Sequence, residues 1–307
     1  MDSNRRASRR TWLKTATLAA AGVMTRAFAA DAPLETRRIP KSGEAIPVVG
    51  LGTWQVFDVA GNATGLAEAR DALARFVALG GRVVDSSPMY GSSEAVLGDL
   101  AASLGVQDRL WVATKVWTTG REAGIRQMED SMAKLRVARL DLMQVHNLVD
   151  ADRHLATLAD WKKAGRVRYV GVTHYHAGAY ADVERYVAKG DLDFLQINYS
   201  LAEREAAKRL LPLAAEKRTA VLVNRPFAEG ALFSRVKGRP LPPWAAEIGC
   251  TSWAQLFLKW ILGAPAVTCA IPGTRNARHV EDNLGAGRGP MPDATMRKRI
   301  EAHLDGL

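Results

Sequence analysis

Short apolar runs alternate with segments of helical spacing along most of the chain. The apolar runs begin at Val48, Val83, Leu110, Leu140, Val167, Phe194, Ala220 and Val267. Such alternation is typical of parallel βα units. Eight units within one domain of roughly 250 residues predict an α/β fold of the closed (β/α)8 TIM barrel type. The alternative is a doubly wound open sheet, but no GxGxxG follows an early strand to support a Rossmann site.

A β-hairpin is predicted ahead of the barrel, around Ser42-Gly43, where glycine can supply the positive φ of a tight turn. Farther along, residues 203–217 are predicted to form one helix, and residues 232–243 a longer loop with basic residues and prolines. The last helix is predicted to begin at Ala277. No linker or shift in composition divides the chain after the first 30 residues, so we expect residues 31–307 to form one domain.

The first 30 residues have the pattern of a targeting segment. Ser8-Arg9-Arg10-Thr11-Trp12-Leu13-Lys14 is followed by an apolar run over residues 15–25 and by Ala27-Phe28-Ala29, a small-x-small cleavage motif. The segment resembles a twin-arginine (Tat) signal, with Trp12 as its one departure. The resemblance implies recognition by the Tat export machinery and a periplasmic location for the folded protein. A basic N-terminal arm is the alternative.

Composition excludes several classes of protein. The chain has 42 Lys and Arg against 32 Asp and Glu; the first 29 residues hold six of the basic residues and one acid, which leaves 36 against 31. No basic stripe of the kind that follows a phosphate backbone is present, so we expect no nucleic-acid partner. The two cysteines lack a CxxC pattern, so no metal site is predicted. No stretch reaches the length of a stable membrane span.

Polar side chains follow three successive strands of the predicted barrel. Asp85 ends one strand, Lys115 the next and His146 the third, and Tyr90 lies in the loop just past Asp85. Each has an ordinary structural explanation, such as a turn cap, a solvated cation or a buried core histidine. Strand ends of a barrel converge on one rim, so all four together predict a catalytic site there.

At this point the sequence resembles the aldo-keto reductase family, with agreement in order and spacing from about residue 36 to residue 286. The matching pieces are Val48-Val49-Gly50-Leu51-Gly52-Thr53-Trp54, Val84-Asp85-Ser86-Ser87-Pro88-Met89-Tyr90-Gly91-Ser92-Ser93-Glu94, Ala113-Thr114-Lys115-Val116-Trp117 and Leu140-Asp141-Leu142-Met143-Gln144-Val145-His146. The resemblance implies an NAD(P)H-dependent carbonyl reductase that turns an aldehyde or ketone into an alcohol. A catalytically weak NADP(H)-binding regulatory or sensor subunit is the alternative.

The chemistry of the four residues agrees with that activity. Reducing a carbonyl requires a proton on oxygen, and a phenol with a pKa near 10 is a poor acid at neutrality. An ammonium beside Tyr90 would favour the phenolate and ease proton donation. Lys115 can supply that ammonium, Asp85 its counter-charge, and His146 a hydrogen bond that orients the carbonyl. The resemblance implies the same roles.

The cofactor positions match the family less completely. The resemblance assigns the nicotinamide carboxamide to Thr173, His174 and Gln196, with histidine where the family has asparagine. Asn224 and Arg225 stand where the family often stacks an aromatic ring. The adenosine end is assigned to Gly273, Thr274, Arg275, His279, Asp282 and Asn283. Arg275 beside a helix N-terminus would hold a 2′-phosphate, which favours NADPH over NADH.

Three large side chains neighbour the four rim residues in sequence: Trp54, Met89 and Trp117. They are predicted to line an apolar pocket for a small carbonyl substrate, with ordinary packing at the rim as the alternative. Loops set the identity of such a substrate and vary most, so the sequence does not name it. We expect the protein to act as a monomer.

Overall fold

The computed structural model describes residues 32–307. The targeting segment predicted for the first 30 residues lies outside this range. Two antiparallel strands come first, and a sheet of eight parallel strands follows. The strands are β1 (Thr36–Arg38), β2 (Ala45–Pro47), β3 (Leu51–Gly52), β4 (Val83–Asp85), β5 (Trp111–Val116), β6 (Leu140–His146), β7 (Val167–Thr173), β8 (Phe194–Asn198), β9 (Ala220–Asn224) and β10 (Cys269–Ala270).

The eight-stranded sheet closes on itself. Each strand from β3 to β9 pairs with the next strand in the chain. Parallel bridges then join Val49 to Ala270 and Gly52 to Gly273, which brings the first strand of the sheet against the last. A Cβ on Gly52 would lie 2.8 Å from the carbonyl oxygen of Ile271, so this approach requires glycine. The predicted (β/α)8 barrel is confirmed.

Helices connect the strands. They are α1 (Ala63–Ala78), α2 (Ser93–Leu104), α3 (Arg121–Leu135), α4 (Ala151–Lys163), α5 (Tyr180–Lys189), α6 (Leu210–Glu216), α7 (Ala231–Arg235), α8 (Trp253–Leu262), α9 (Ala277–Gly285) and α10 (Ala294–Asp305). Helix α2 ends at Gly105, whose φ of 64° is the left-handed conformation that glycine adopts without strain. Within residues 32–307, no helix has both the length and the apolar character needed to cross a membrane.

The single helix predicted over residues 203–217 is wrong. The structure has a 3-10 helix at Glu205–Lys208, a break at Arg209, and then α6. Pro212 is the third residue of α6. Proline has no N–H to donate and is tolerated only in the first turn of a helix, so the α-helix has to begin close to this residue.

Two further expectations for the second half need correction. The loop predicted over residues 232–243 contains the helix α7. The helix that begins at Ala277 is followed by another, α10, so it is not the last. Asp293 caps α10, where its carboxylate accepts a hydrogen bond of 2.8 Å from the backbone N–H of Met296. The buried pair Ile300 and Leu304 has the four-residue spacing of a helix face, a signal that the sequence does contain.

The predicted hairpin is confirmed, and it covers the N-terminal end of the barrel. Gly43 has a φ of 77° in the turn between β1 and β2. Ile39 and Ile46 are fully buried in the cluster of side chains that fills the barrel interior. The guanidinium of Arg37 donates to the carbonyl oxygens of Leu262, Ala264 and Val267, late in the chain. The opposite, C-terminal rim remains free to carry a site.

Candidate active site

A buried ion pair lies at the C-terminal rim of the barrel. Asp85, the last residue of β4, and Lys115, near the end of β5, are 2% and 0% exposed. Lys115 Nζ lies 2.6 Å from Asp85 Oδ2 and donates a second hydrogen bond of 2.7 Å to the carbonyl oxygen of Ser86. Adjacent parallel strands that end at one rim produce this contact, as the sequence predicts.

Two amides complete the hydrogen bonds of Asp85. Its Oδ1 accepts from Gln196 Nε2 at 2.8 Å and from Gln144 Nε2 at 3.3 Å. Together with Lys115, these donors replace the hydration that a buried carboxylate loses. Sequence reasoning missed Gln144, although it lies two residues before His146 on the same strand. Alternate residues of a strand point to the same face, so the signal was present.

The charge of Lys115 is held in place by its neighbours. Burial by itself would lower the pKa of this ammonium. The carboxylate of Asp85, and then the hydroxyl of Tyr90, raise it by more, so the pKa of Lys115 is above its ordinary value. The residue is therefore a fixed positive charge at neutral pH, immediately below the rim.

Tyr90 lies over this charge. Lys115 Nζ is 4.8 Å from the centroid of the Tyr90 ring. Burial raises the pKa of the phenol, Lys115 opposes the shift, and the net result is a raised pKa. The ammonium of Lys115 lowers the pKa of Tyr90, as predicted, but burial raises this pKa by more than the prediction allowed for. The phenol consequently carries its proton at neutral pH.

His146 lies against Tyr90 as a neutral ring. The two rings make an edge contact with centroids 5.9 Å apart. Burial, with the charge of Lys115, lowers the pKa of His146 to about 2. The Ser87 hydroxyl lies 3.0 Å from Nδ1, and when it donates there the ring proton is on Nε2, available to a carbonyl oxygen. Ser87, which contacts the His146 ring, is after Gln144 another residue that the sequence analysis did not assign to the site.

Glu94 is a buried carboxylate that sequence reasoning also left unassigned. It accepts hydrogen bonds from Thr114 Oγ1 at 2.5 Å and from Ser131 Oγ at 3.1 Å. Burial raises the pKa of this carboxyl group. Glu94 thereby ties α2 to β5 and α3 directly behind the rim. In sequence it is indistinguishable from the acidic residues common in the first turn of a helix.

The residues assigned to a carboxamide lie together beside the ion pair. Thr173 Oγ1 donates to Gln196 Oε1 at 3.0 Å, and Asn224 Nδ2 donates to the carbonyl oxygen of His174 at 3.0 Å. Asn224 Oδ1 is buried without a hydrogen-bond partner. Leaving a buried acceptor without a partner costs free energy, so a ligand that places an N–H beside Asn224 Oδ1 would be stabilised there.

His174 has a defined tautomer. Its Nδ1 accepts a 2.9 Å hydrogen bond from the backbone N–H of Tyr175, so the proton of the neutral ring lies on Nε2. Burial lowers the pKa of His174 to about 4, with His176 adding to the shift. A neutral ring with an Nε2–H donor can replace one donor of an asparagine amide. His174 Nε2–H can donate a hydrogen bond and Asn224 Oδ1 can accept one, and a primary carboxamide can pair with both groups.

The predicted adenosine-binding residues have several different environments. Gly273 forms one of the two bridges that close the barrel, and Asp282 accepts from Ser252 Oγ and Gln255 Nε2, both at 2.8 Å. Thr274 and Asn283 are buried, whereas His279 is exposed. These contacts give Gly273 and Asp282 a place in packing that the sequence did not indicate.

Arginines on this side of the rim are already paired with carboxylates. Arg275 Nε lies 2.7 Å from Glu68 Oε2. Arg225, assigned to the nicotinamide side, forms ion pairs with Glu203 at 3.2 Å and Glu229 at 2.7 Å. These ion pairs were not predictable, because they join distant parts of the chain or lie within an irregular loop.

The mouth of the barrel is apolar. The large hydrophobic side chains that stay exposed within residues 32–307 all follow strands of the barrel: Trp54, Met89, Trp117, Tyr175 and Phe233. The ring of Trp117 lies 6.4 Å from that of His146, centroid to centroid. The three residues predicted to line a pocket therefore lie just past strand ends at this rim, and so does Tyr175. Phe233 lies on α7 instead and packs against Phe227 and Phe257. Exposed apolar side chains around a few polar groups are typical of a ligand site.

A closed parallel barrel with Asp85, Tyr90, Lys115 and His146 at its C-terminal rim defines an enzyme-type site. The family model described as "Aldo/keto reductase family" matches residues 48–305, and the chain belongs to that family.

Known relatives agree with this assignment. The chain is 26% identical over 259 residues to methylglyoxal reductase YeaE of Escherichia coli, covering 81% of this chain and 89% of that protein. It is 28% identical over 254 residues to an aldo-keto reductase of a Mycobacterium species, covering 79% and 84%. A crystal structure of an aldo/keto reductase from Klebsiella pneumoniae in complex with NADP and acetate has the same fold, with a TM-score of 0.75 at 23% identity over 88% of this chain and 95% of that one.

Proposed function

We propose that the protein reduces an aldehyde or ketone to an alcohol at the expense of NADPH, with Tyr90 as the proton donor. The observation that carries the proposal is the arrangement of Tyr90 over the buried pair Lys115–Asp85, with a neutral His146 at its edge. A proton donor, a fixed positive charge and a hydrogen-bonding ring at one mouth are what carbonyl reduction requires.

The relatives support the class of substrate and cofactor. One is named a methylglyoxal reductase, and Klebsiella pneumoniae structures of the same fold contain NADP or NADPH. In this chain the unpaired Asn224 Oδ1 and the Nε2–H of His174 fit the carboxamide of a nicotinamide. Thr274 and Arg275 precede α9 and would hold the adenosine phosphates. When bound, the reduced cofactor supplies the hydride.

The protein's own residues account for the proton and the geometry. His146 Nε2–H donates to the carbonyl oxygen and fixes its direction toward Tyr90. Tyr90 then gives its proton to that oxygen as negative charge develops there. Lys115 stabilises the phenolate that remains, and Asp85 keeps Lys115 charged in a site with little water. The apolar mouth excludes water and holds the carbon skeleton of the substrate.

Replacing Tyr90 by phenylalanine tests the proposal. The variant should lose at least about a hundredfold in kcat for aldehyde reduction, the usual contribution of a general acid, while binding NADPH as before. The assay is loss of nicotinamide absorbance with a panel of aldehydes and ketones, and cofactor binding is measured separately by calorimetry. Full turnover by Tyr90→Phe would show that the assignment is wrong.

Tyr186 provides a matched control. It also has a lysine over its ring, with Lys189 Nζ 4.8 Å from the centroid, but it lies on α5, in the helical layer outside the barrel. Tyr186→Phe removes the same hydroxyl from the same kind of lysine–tyrosine contact. Its turnover should equal that of the wild type, which separates a role in chemistry from a general effect of losing a phenol.

We further propose that the protein is exported by the Tat route and acts in the periplasm. The support is the sequence pattern around Arg9-Arg10. Fractionation of cells that express the full chain should recover a shortened protein outside the inner membrane. Arg9→Lys combined with Arg10→Lys should leave the full-length protein inside, and unchanged processing of that variant would contradict the proposal.

A further inference from the structure

Arg275, the residue assigned to the 2′-phosphate of NADPH, is held by a carboxylate from a distant part of the chain. Glu68 lies on the first turns of α1, and Arg275 lies two residues before α9. Arg275 Nε is 2.7 Å from Glu68 Oε2, and the two side chains are 42% and 49% exposed. The contact is therefore a solvated ion pair that an incoming anion can reach.

The geometry points to Glu68 as a residue that determines cofactor specificity by competing with the 2′-phosphate for Arg275. A guanidinium binds a phosphate most strongly with two parallel N–H groups, and Glu68 occupies the Nε–H of Arg275. Phosphate binding then either displaces Glu68 or leaves two anions beside one cation. Both reduce the affinity for NADPH and leave NADH, which has no phosphate there, unaffected. This inference rests on the proposed binding of NADPH with its 2′-phosphate at Arg275.

The size of the effect follows from the exposure of the pair. Exposed ion pairs contribute little, and their usual range corresponds to a change of about two- to fivefold in a binding constant. Glu68→Gln should therefore tighten NADPH binding about two- to fivefold. The carboxylate lies on the exposed face of its helix, so the glutamine variant retains the packing of α1.

The same two helices offer a matched control. Glu281 on α9 pairs with Arg75 on α1 at 2.8 Å, with side chains 58% and 43% exposed. Glu281→Gln removes an identical charge from an identical type of contact between α1 and α9. Arg75 is seven residues beyond Glu68 along α1, about 10 Å at the rise of an α-helix, so Arg275 keeps its own partner.

Equilibrium binding tests the inference without turnover. The probes are NADPH and NADH, together with 2′,5′-ADP and 5′-AMP, which differ in the same phosphate but have no nicotinamide. Glu68→Gln should tighten NADPH and 2′,5′-ADP and leave NADH and 5′-AMP unchanged, while Glu281→Gln changes none of the four. Arg275→Gln should weaken NADPH and 2′,5′-ADP, and adding Glu68→Gln to it should change the affinity less than Glu68→Gln does alone, as coupling between the two residues requires.

The outcomes separate the two levels of the argument. If Arg275→Gln weakens NADPH but Glu68→Gln leaves the NADPH to NADH ratio unchanged, competition by Glu68 is refuted and the proposed function stands. If Arg275→Gln leaves NADPH binding unchanged, the 2′-phosphate binds elsewhere and the inference falls with that assignment. If the wild-type protein binds none of the four probes, the proposed reductase function is itself wrong.

Discussion

Replacing Asp85 by asparagine removes the charge that compensates Lys115 while nearly preserving the shape of the side chain. Both residues are buried, at 2% and 0% exposure, and their charged atoms are 2.6 Å apart. Removing one partner of a buried pair costs about 3–5 kcal/mol, because the other charge stays buried without compensation. Against the roughly 5–15 kcal/mol that stabilise a typical domain, this is a large but tolerable loss.

The pH dependence of that loss has a definite sign. The folded protein raises the pKa of Lys115 above its ordinary value, since Asp85 and Tyr90 together outweigh desolvation. A group whose pKa is raised by folding stabilises the folded state. This stabilisation is complete at pH values below the pKa in the unfolded chain, about 10.4 for lysine, and it is lost as the pH rises through the pKa in the folded protein. The difference between wild type and Asp85→Asn should thus be largest at pH 7 and shrink above about pH 10.4.

Urea unfolding followed by tryptophan fluorescence measures this difference. Asp99→Asn is the control, because Asp99 pairs with Arg136 at 2.5 Å on the surface, with side chains 62% and 54% exposed. That variant should lose less than about 1 kcal/mol. Adding Lys115→Met to Asp85→Asn should recover part of the lost stability, since no buried charge then lacks a partner. Equal losses for Asp85→Asn and Asp99→Asn would refute the reasoning.

Three further predictions concern single residues. Because the pKa of His146 is lowered to about 2, its ring should not ionise between pH 5 and 8. Any change of kcat/KM with pH in this range should therefore be the same in the wild type and in His146→Gln. A pH-dependent step that disappears in this variant would contradict a neutral ring. His174→Asn should keep the affinity for nicotinamide cofactors within about threefold in calorimetry, because one amide donor replaces one imidazole donor. Glu94→Ala should leave the buried hydroxyls of Thr114 and Ser131 unpaired, which should lower the stability measured in urea by about 1–3 kcal/mol for each. Its kcat should fall less than that of Tyr90→Phe.

Parallel topology made the central residues predictable. Once eight strands alternate with helices, side chains at strand ends are brought to one rim, and Asp85, Lys115 and His146 lie where that rule places them. The turn at Gly43 followed from local backbone preference in the same way. Such inferences succeed because they depend on a repeated geometry and on nearby residues.

Features that depend on packing between distant segments were not predictable. Glu68 and Arg275 are 207 residues apart, and no local pattern in either segment indicates that they form an ion pair. Glu94 became a buried carboxylate only because Thr114 and Ser131 meet it from two other elements. The phenol of Tyr90 illustrates a quantitative limit, since the sequence identifies its charged neighbour but not how far burial outweighs it.

The hairpin at the closed end of the barrel has a consequence for the order in which the protein is made. Arg37 is held by carbonyl groups of Leu262, Ala264 and Val267, and Val49 reaches its partner only when Ala270 exists. Strand β1 is thus held by residues that are synthesised at least 225 positions later. Contacts of such separation form slowly and late. The hairpin therefore becomes ordered only when the last strand of the barrel is in place, so order in the hairpin reports a completed barrel.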